Sequence, residues 1–312
     1  MQRRRNTSGG AQALIAKAFM ISRQSSSVEV PASQARAGEE FRQTLSLHIC
    51  GIRVQIDCRE PLLHDLLVAN FGCLRQDTAG SCHLHYRAGR RGRGFVITRQ
   101  GSELQAANDG EFLFLLEKDL TIELQKLRRE LYYIHSAALT LGGKAFLLLA
   151  PSGHGKSTTC WGLLHHGFSY LSDELAPVNL ETLEIEPYAH ALCLKDEPPA
   201  CYPLPPGALR TQTTMHVPGA LLPLSAGPAR LSALFFLTYR RVAAAPEICS
   251  ISRGEATTRL FAQALNPLAH AHDGLDGAVA IAAEVPSFYV TSAELGLTCE
   301  LIKHTLQRPV SA

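Results

Sequence analysis

The sequence predicts an α/β fold: a mixed-sheet domain over residues 131–312, preceded by a small α+β domain over residues 41–130 and a tail over residues 1–40. Three observations carry this. Phe146 to Ala150 is an unbroken apolar run that stops at Pro151 and passes through Ser-Gly-His-Gly-Lys-Ser-Thr into a helical pattern, the strand, turn and helix of an α/β unit. Apolar stretches flank Gly142-Gly143, the composition of a two-residue hairpin turn. From Phe41 onward, short segments alternate apolar and polar residues with the period of half-buried strands.

The turn after Ala150 carries chemistry. Gly153 and Gly155 allow backbone N–H groups to converge on one anion at a helix N-terminus, which makes Ser152 to Thr158 a phosphate-binding loop. Ser152, Gly153, His154, Gly155, Lys156, Ser157 and Thr158 are the expected nucleotide contacts. Lys156 adds a positive charge, and Ser157 offers a hydroxyl to Mg²⁺ bridging two phosphates. The motif's first glycine is replaced by Ala150.

Composition sets bounds. The chain has 312 residues, 46% of them hydrophobic, and a net charge of +2, so no overall field favours a nucleic-acid partner. No apolar run is long enough to span a membrane. Nine cysteines are scattered without C-x-x-C spacing, which predicts reduced thiols and a cytoplasmic protein. His83 with His85, and His270 with His272, fit alternating strand or loop positions better than zinc ligation.

The first 40 residues are poor in aromatics and rich in Ser, Ala, Gln and Arg, and are expected to be a disordered tail. Arg3-Arg4-Arg5 before ALIAKAFMI invites a targeting reading, but Lys17 interrupts the apolar segment and a solvated extension is favoured. Leu45 to Ile49 and Ile52 to Ile56 read as two strands about Gly51. Pro61 opens a helix that Gly72 closes, with Leu62, Leu63, Leu66 and Leu67 on one face. Strands follow near residues 82–86, 94–98 and 103–107.

Between the first two of these, Arg87, Arg90, Arg91 and Arg93 crowd a glycine-rich turn. Such a run is ordinarily just solvated; docking of an acidic peptide is the sharper alternative. Asp109 to Leu131 has helical spacing and is expected to form two short helices.

His135 to Leu141 and Lys144 to Ala150 form the hairpin. If Leu141 pairs with Lys144, His135 falls opposite Ala150 at the mouth of the loop. Ser157 to His166 reads as a helix stopped by Gly167, and Phe168 to Ser172 as a strand ending in Asp173-Glu174. A carboxylate there, one helix after the loop, is placed to handle a metal or a proton. Arg240 and Arg241 end a later strand near Leu234 to Thr238.

The string His135-Ser-Ala-Ala-Leu, a Gly-Gly hairpin, the loop, a short helix and Leu-Ser-Asp173-Glu174 resembles the catalytic domain of HPr kinase/phosphorylase, and more closely the HPr-kinase-related proteins of peptide-modifying systems. The likeness is strongest from Tyr133 to Val178. It continues weakly through His216-Val-Pro218, Leu231 to Tyr239 and the helix near Glu255 to Leu265. The resemblance implies that Asp173 is the proton acceptor, that His135 supports it, and that Lys156 and Ser157 contact phosphate and magnesium. Glu174 then takes the metal-associated position where the relatives carry a second Asp. Thr158 stands where the authentic enzyme has an acidic residue, and no Glu-Ile-Arg-Gly signature occurs, so the reverse reaction is not expected.

Lys195 lies in a segment that resembles the acceptor region and is a candidate substrate contact; His190 stands where relatives often show an arginine. The implied activity is an ATP-dependent kinase, with Mg²⁺, acting on a serine-type hydroxyl of a peptide or small protein. The relatives form rings, so a homo-oligomer is among the expectations. A kinase of a small metabolite, or a nucleotide-binding accessory protein with little transfer activity, fits the same residues.

Overall fold

Alternation in the first third of the chain builds an antiparallel-rich sheet. The computed structural model describes residues 41, 43–76, 80–240 and 243–308; the expected tail and Arg241 lie outside the described residues. Strands β1 (Gln43–Ile49), β2 (Ile52–Cys58), β3 (Leu84–Arg91), β4 (Gly94–Arg99) and β5 (Ser102–Ala106) pair in that order, all antiparallel except β2 with β3. Leu45, Leu47 and Ile49 pack inward with Val54 and Ile56.

Two helices cover this sheet. Helix α1 (Pro61–Phe71) buries Leu63, Leu66 and Leu67, but Leu62 is exposed, because a helix turns Leu62 away from the stripe that its neighbours form. Helix α2 (Asp109–Leu127) is one continuous helix of 19 residues rather than two short ones. Its only glycine, Gly110, sits in the first turn, and Asn108 caps the start by accepting from the Glu111 N–H, so nothing breaks it before Arg128. Phe112, Leu113, Leu116, Leu120 and Leu124 form its buried stripe.

Three arginines of the β3–β4 hairpin find partners close by. Arg91 donates to Glu103 Oε2 at 2.7 Å, Arg90 lies over the Phe95 ring and Arg87 over the Phe41 ring.

The rest of the chain forms a mixed nine-stranded sheet. Its strands are β6 (Leu131–Ile134), β7 (Ala137–Leu141), β8 (Lys144–Leu149), β9 (Ser169–Ser172), β10 (Ala176–Asn179), β11 (Glu184–Ile185), β15 (Ala229–Tyr239), β16 (Glu247–Ser250) and β17 (Ser287–Ser292). A small sheet of β12 (Leu192–Leu194), β13 (Leu209–Arg210) and β14 (Met215–Val217) packs beside it. Alternation along the central strands serves two cores. Ala137, Leu139, Phe146, Leu148, Phe235 and Leu237 face helices α3 (Lys156–His165) and α6 (Leu295–Gln307), while Ala138, Leu147, Leu149, Leu234 and Phe236 face α4 (Arg253–Phe261) and α5 (Leu275–Glu284). The result is a three-layer α/β/α arrangement. No helix among the described residues is long and apolar enough to cross a membrane.

Register decides where the site forms. Leu141 pairs with Lys144, and the ladder runs out to Ala137 opposite Leu148. His135 does not continue it: the chain leaves β6 at Ile134, and the His135 N–H donates to the Gln263 carbonyl instead. Strand β9 runs antiparallel to β7, and β7 antiparallel to β8, so β8 and β9 point the same way. Their C-terminal ends and the start of β7 therefore share one edge of the sheet, which brings His135, the glycine turn and Asp173-Glu174 together.

Candidate active site

The turn from Ala150 to Gly155 joins β8 to α3. Gly153 and Gly155 have φ of 84° and 85°, a region that a side chain on the α-carbon disfavours, which is why glycine serves at these two positions. Ser152 and Gly153 are exposed at the tip, and Ser157 and Thr158 are partly buried in the first turn of α3. His154 is partly buried, and its Nδ1 lies out of solvent without a partner. The helix that follows has its first-turn N–H groups directed at the turn, an environment that favours an anion.

Lys156 is the centre of the arrangement. Its side chain is only 7% exposed, and Nζ donates to Asp173 Oδ1 at 2.7 Å and to Glu174 Oε1 at 3.2 Å. Burial works against its charge, but the two carboxylates outweigh it and hold the ammonium above its ordinary range.

Asp173 and Glu174 differ sharply in setting. The Asp173 side chain is fully buried, and its second oxygen, Oδ2, has no partner. The Glu174 side chain is 45% exposed and accepts from His135 Nε2 at 2.7 Å. Burial opposes Glu174's charge too, yet Lys156 and then His135 keep its carboxyl well below the usual carboxylate range.

The expected partnership of His135 with Asp173 is therefore not the one formed. Glu174 adopts a φ of 84°, unusual for a residue with a side chain, and that backbone turn sends the glutamate rather than the aspartate to the histidine. His135 Nδ1 lies 3.3 Å from Gln263 Oε1.

Lys195, exposed at the end of β12, donates to Ser152 Oγ at 3.0 Å, so it reaches the outer side of the turn. Arg240 is exposed just past β15, with no polar contact to the cluster.

Two further residues join the cluster: His190, which the sequence placed where relatives often carry an arginine but gave no role, and Glu117, which the sequence reading missed. His190, 1% exposed, donates from Nε2 to the Asp173 carbonyl at 2.6 Å, and Glu117 Oε1 lies 3.2 Å from the same nitrogen. Burial raises the Glu117 carboxyl; His190 acts against this, while Glu174 and Asp173 add to it. For Glu117 the available signal was an acidic residue beside an apolar stripe: it follows Leu116 and stands four residues after Leu113.

A basic residue desolvated between two acids, beside a turn rich in amide donors, can exchange those acids for the oxygens of a phosphate. Magnesium fits such a donor set, since it takes one or two carboxylates and a hydroxyl and completes its shell with water and phosphate. Among the described residues no group of three or more His, Cys, Asp or Glu is arranged as a metal cage.

No family model matches the sequence. No curated protein matches it. Among solved structures, the chain is similar to the Hpr(Ser) kinase/phosphatase from Coxiella burnetii, at 12% identity and a TM-score of 0.30, over 56% of this chain and 97% of that one. That is a distant structural relationship, and it adds nothing to the chemistry of the cluster.

Proposed function

We propose that this chain is an ATP-dependent kinase that moves the γ-phosphoryl group to a serine-type hydroxyl of a peptide or small protein. The observation that carries this reading is Lys156, buried at the foot of the glycine turn and held by Asp173 and Glu174 together. Burying an ammonium is costly unless it is paired, and both of its partners are carboxylates that phosphate oxygens can replace.

The roles follow from the surroundings. Amides of residues 152–158 and the Lys156 ammonium bind the phosphates; as Lys156 turns to the phosphate oxygens it releases Asp173. The acceptor hydroxyl oxygen bonds to the γ-phosphorus, and the bond from that phosphorus to the β–γ bridging oxygen breaks, leaving ADP with the electron pair. The hydroxyl proton goes to Asp173, whose Oδ2 has no other partner. Ser157 and Glu174 would hold magnesium, which when bound neutralises charge on the phosphate oxygens. His135 orients Glu174, and Lys195, beside Ser152, meets the acceptor or an outer phosphate.

Transfer from γ-labelled ATP to a peptide panel and to a metabolite panel tests the reading. The expected result is labelled peptide with the wild type and none with Asp173→Asn, while that variant still binds ATP. Labelling confined to metabolites would replace the acceptor class. ATP binding with no transfer to either panel would leave an accessory nucleotide-binding protein instead.

A further inference from the structure

We infer that Glu117 and His190 are positioning residues that fix the Asp173-Glu174 peptide, so that helix α2, from the first sheet's layer, forms part of the site. This role deepens the kinase reading and rests on it for its kinetic consequence, though not for its structural one.

The peptide between Asp173 and Glu174 sets the direction of both carboxylates. Glu174 has a φ of 84°, a conformation that a residue with a side chain keeps only where its surroundings over-determine it. The surrounding group is at hand. The carbonyl of that peptide belongs to Asp173 and accepts from His190 Nε2 at 2.6 Å. A carbonyl carries no proton, so the hydrogen must be on Nε2; Glu117 Oε1 lies 3.2 Å from the same nitrogen as a charged neighbour and makes no hydrogen bond of its own. With the carbonyl held, the Asp173 side chain turns inward to Lys156 and Glu174 turns outward to His135. Were it released, the peptide could rotate to an ordinary φ, and Glu174 would withdraw from both partners.

Packing alone gives no reason for a polar ring at residue 190. The ring sits among Phe71 and Tyr188, with centroids 6.5 and 4.8 Å away, and its Nδ1 is buried without a partner. An apolar ring would fill that space without a desolvated nitrogen. Glu117 is partly buried, with Oε1 out of solvent and without a hydrogen bond, 3.2 Å from His190 Nε2. The hydrogen bond to the Asp173 carbonyl accounts for the polar edge of the ring, and the Glu117 carboxylate lies against that same edge.

The test uses the full chain with ¹⁵N-labelled histidine and the variants His190→Phe, Glu117→Ala and Glu117→Gln. His190→Phe keeps a ring and removes the N–H; Gln at position 117 keeps an oxygen acceptor that Ala removes. The expected outcome for His190→Phe and Glu117→Ala is a fall in kcat of about 10- to 100-fold, as when an outer hydrogen-bond partner is removed from a site. Affinity for ATP measured without magnesium should hold, because the glycine turn hangs on β8 and α3, and Glu117→Gln should recover most of the rate. In the same two variants the His135 imidazole nitrogens should lose the shifts that mark the Glu174 contact. Unchanged His135 shifts in folded His190→Phe would overturn the assignment, as would an unchanged kcat. If the wild type transfers no phosphate, the kinase reading falls and the His135 shifts alone decide the structural role. If His190→Phe does not fold, the two Glu117 variants decide by the same readouts.

Discussion

Glu174 meets His135 at 2.7 Å from a backbone turned to φ 84°, while its neighbour Asp173 is folded away from solvent against Lys156. Two adjacent acids are thus sorted into one exposed and one buried carboxylate by a single peptide, and each can be tested separately.

The buried member makes the sharpest stability prediction. Replacing Lys156 by Met leaves the Asp173 carboxylate enclosed with no cation, and removing one partner of a buried pair costs about 3–5 kcal/mol. Lys156→Met should therefore melt well below the wild type. Adding Asp173→Asn should restore much of the loss, since the orphaned charge is gone. Urea titration of the two single variants and the double variant measures this coupling. Neither lysine variant should regain nucleotide affinity, so binding and stability should separate.

Glu174 predicts an acid window. Its carboxyl is held below the ordinary value of 4.5 by Lys156 and His135 against the effect of burial. A group with a depressed folded pKa contributes stability above its unfolded value and loses it as pH falls toward the folded one. The stability difference between wild type and Glu174→Gln should then be flat from neutral pH to about pH 5 and shrink below about pH 4.5. Denaturant titrations across that range check it; a difference that grows on acidification would contradict the ion cluster.

His216 predicts a second, higher window. Burial pushes its imidazole down to about 4, and His190 adds to the effect while Asp109 opposes it. Its Nδ1 lies 3.1 Å from Asn70 Oδ1, and its Nε2 2.9 Å from Thr214 Oγ1. Between pH 6.5 and about 4 the unfolded chain binds this proton and the folded chain does not, so stability falls as pH falls through that range. The loss has a ceiling on the order of 3 kcal/mol. His216→Gln, which cannot titrate, should flatten the stability curve between those limits.

Legibility followed the range of the interactions. The glycine turn, the Leu141–Lys144 register and the one-helix spacing to Asp173 are local, and each could be read from adjacent residues. The choice of His135 for Glu174 over Asp173 depends on one φ angle that no composition betrays, because a left-handed glutamate is imposed by its surroundings. His190 and Glu117 come from segments 73 residues apart, and their meeting is fixed by the packing of α2 against the strand ends. The continuity of α2 is hidden for a different reason: apolar spacing marks a helical face but does not show that one helix runs on through the polar residues Glu117 to Asp119.

Cys193 gives a chemical probe of the same cluster. It lies only partly buried on β12, yet burial and then the charges of Asp173, Glu117 and Glu174 push its thiol up to about 12. The thiolate is the reacting species, so at pH 8 only about one molecule in 10⁴ would carry it. Iodoacetamide at that pH should therefore label the exposed Cys201 and Cys249 and spare Cys193 while the chain is folded. Since burial is the larger cause, Asp173→Asn should raise the Cys193 rate only modestly, and unfolding should raise it fully. Peptide mass spectrometry after timed labelling reads each site. Labelling of Cys193 as fast as Cys201 in the native protein would mean that the Cys193 thiol is not held out of solvent on β12.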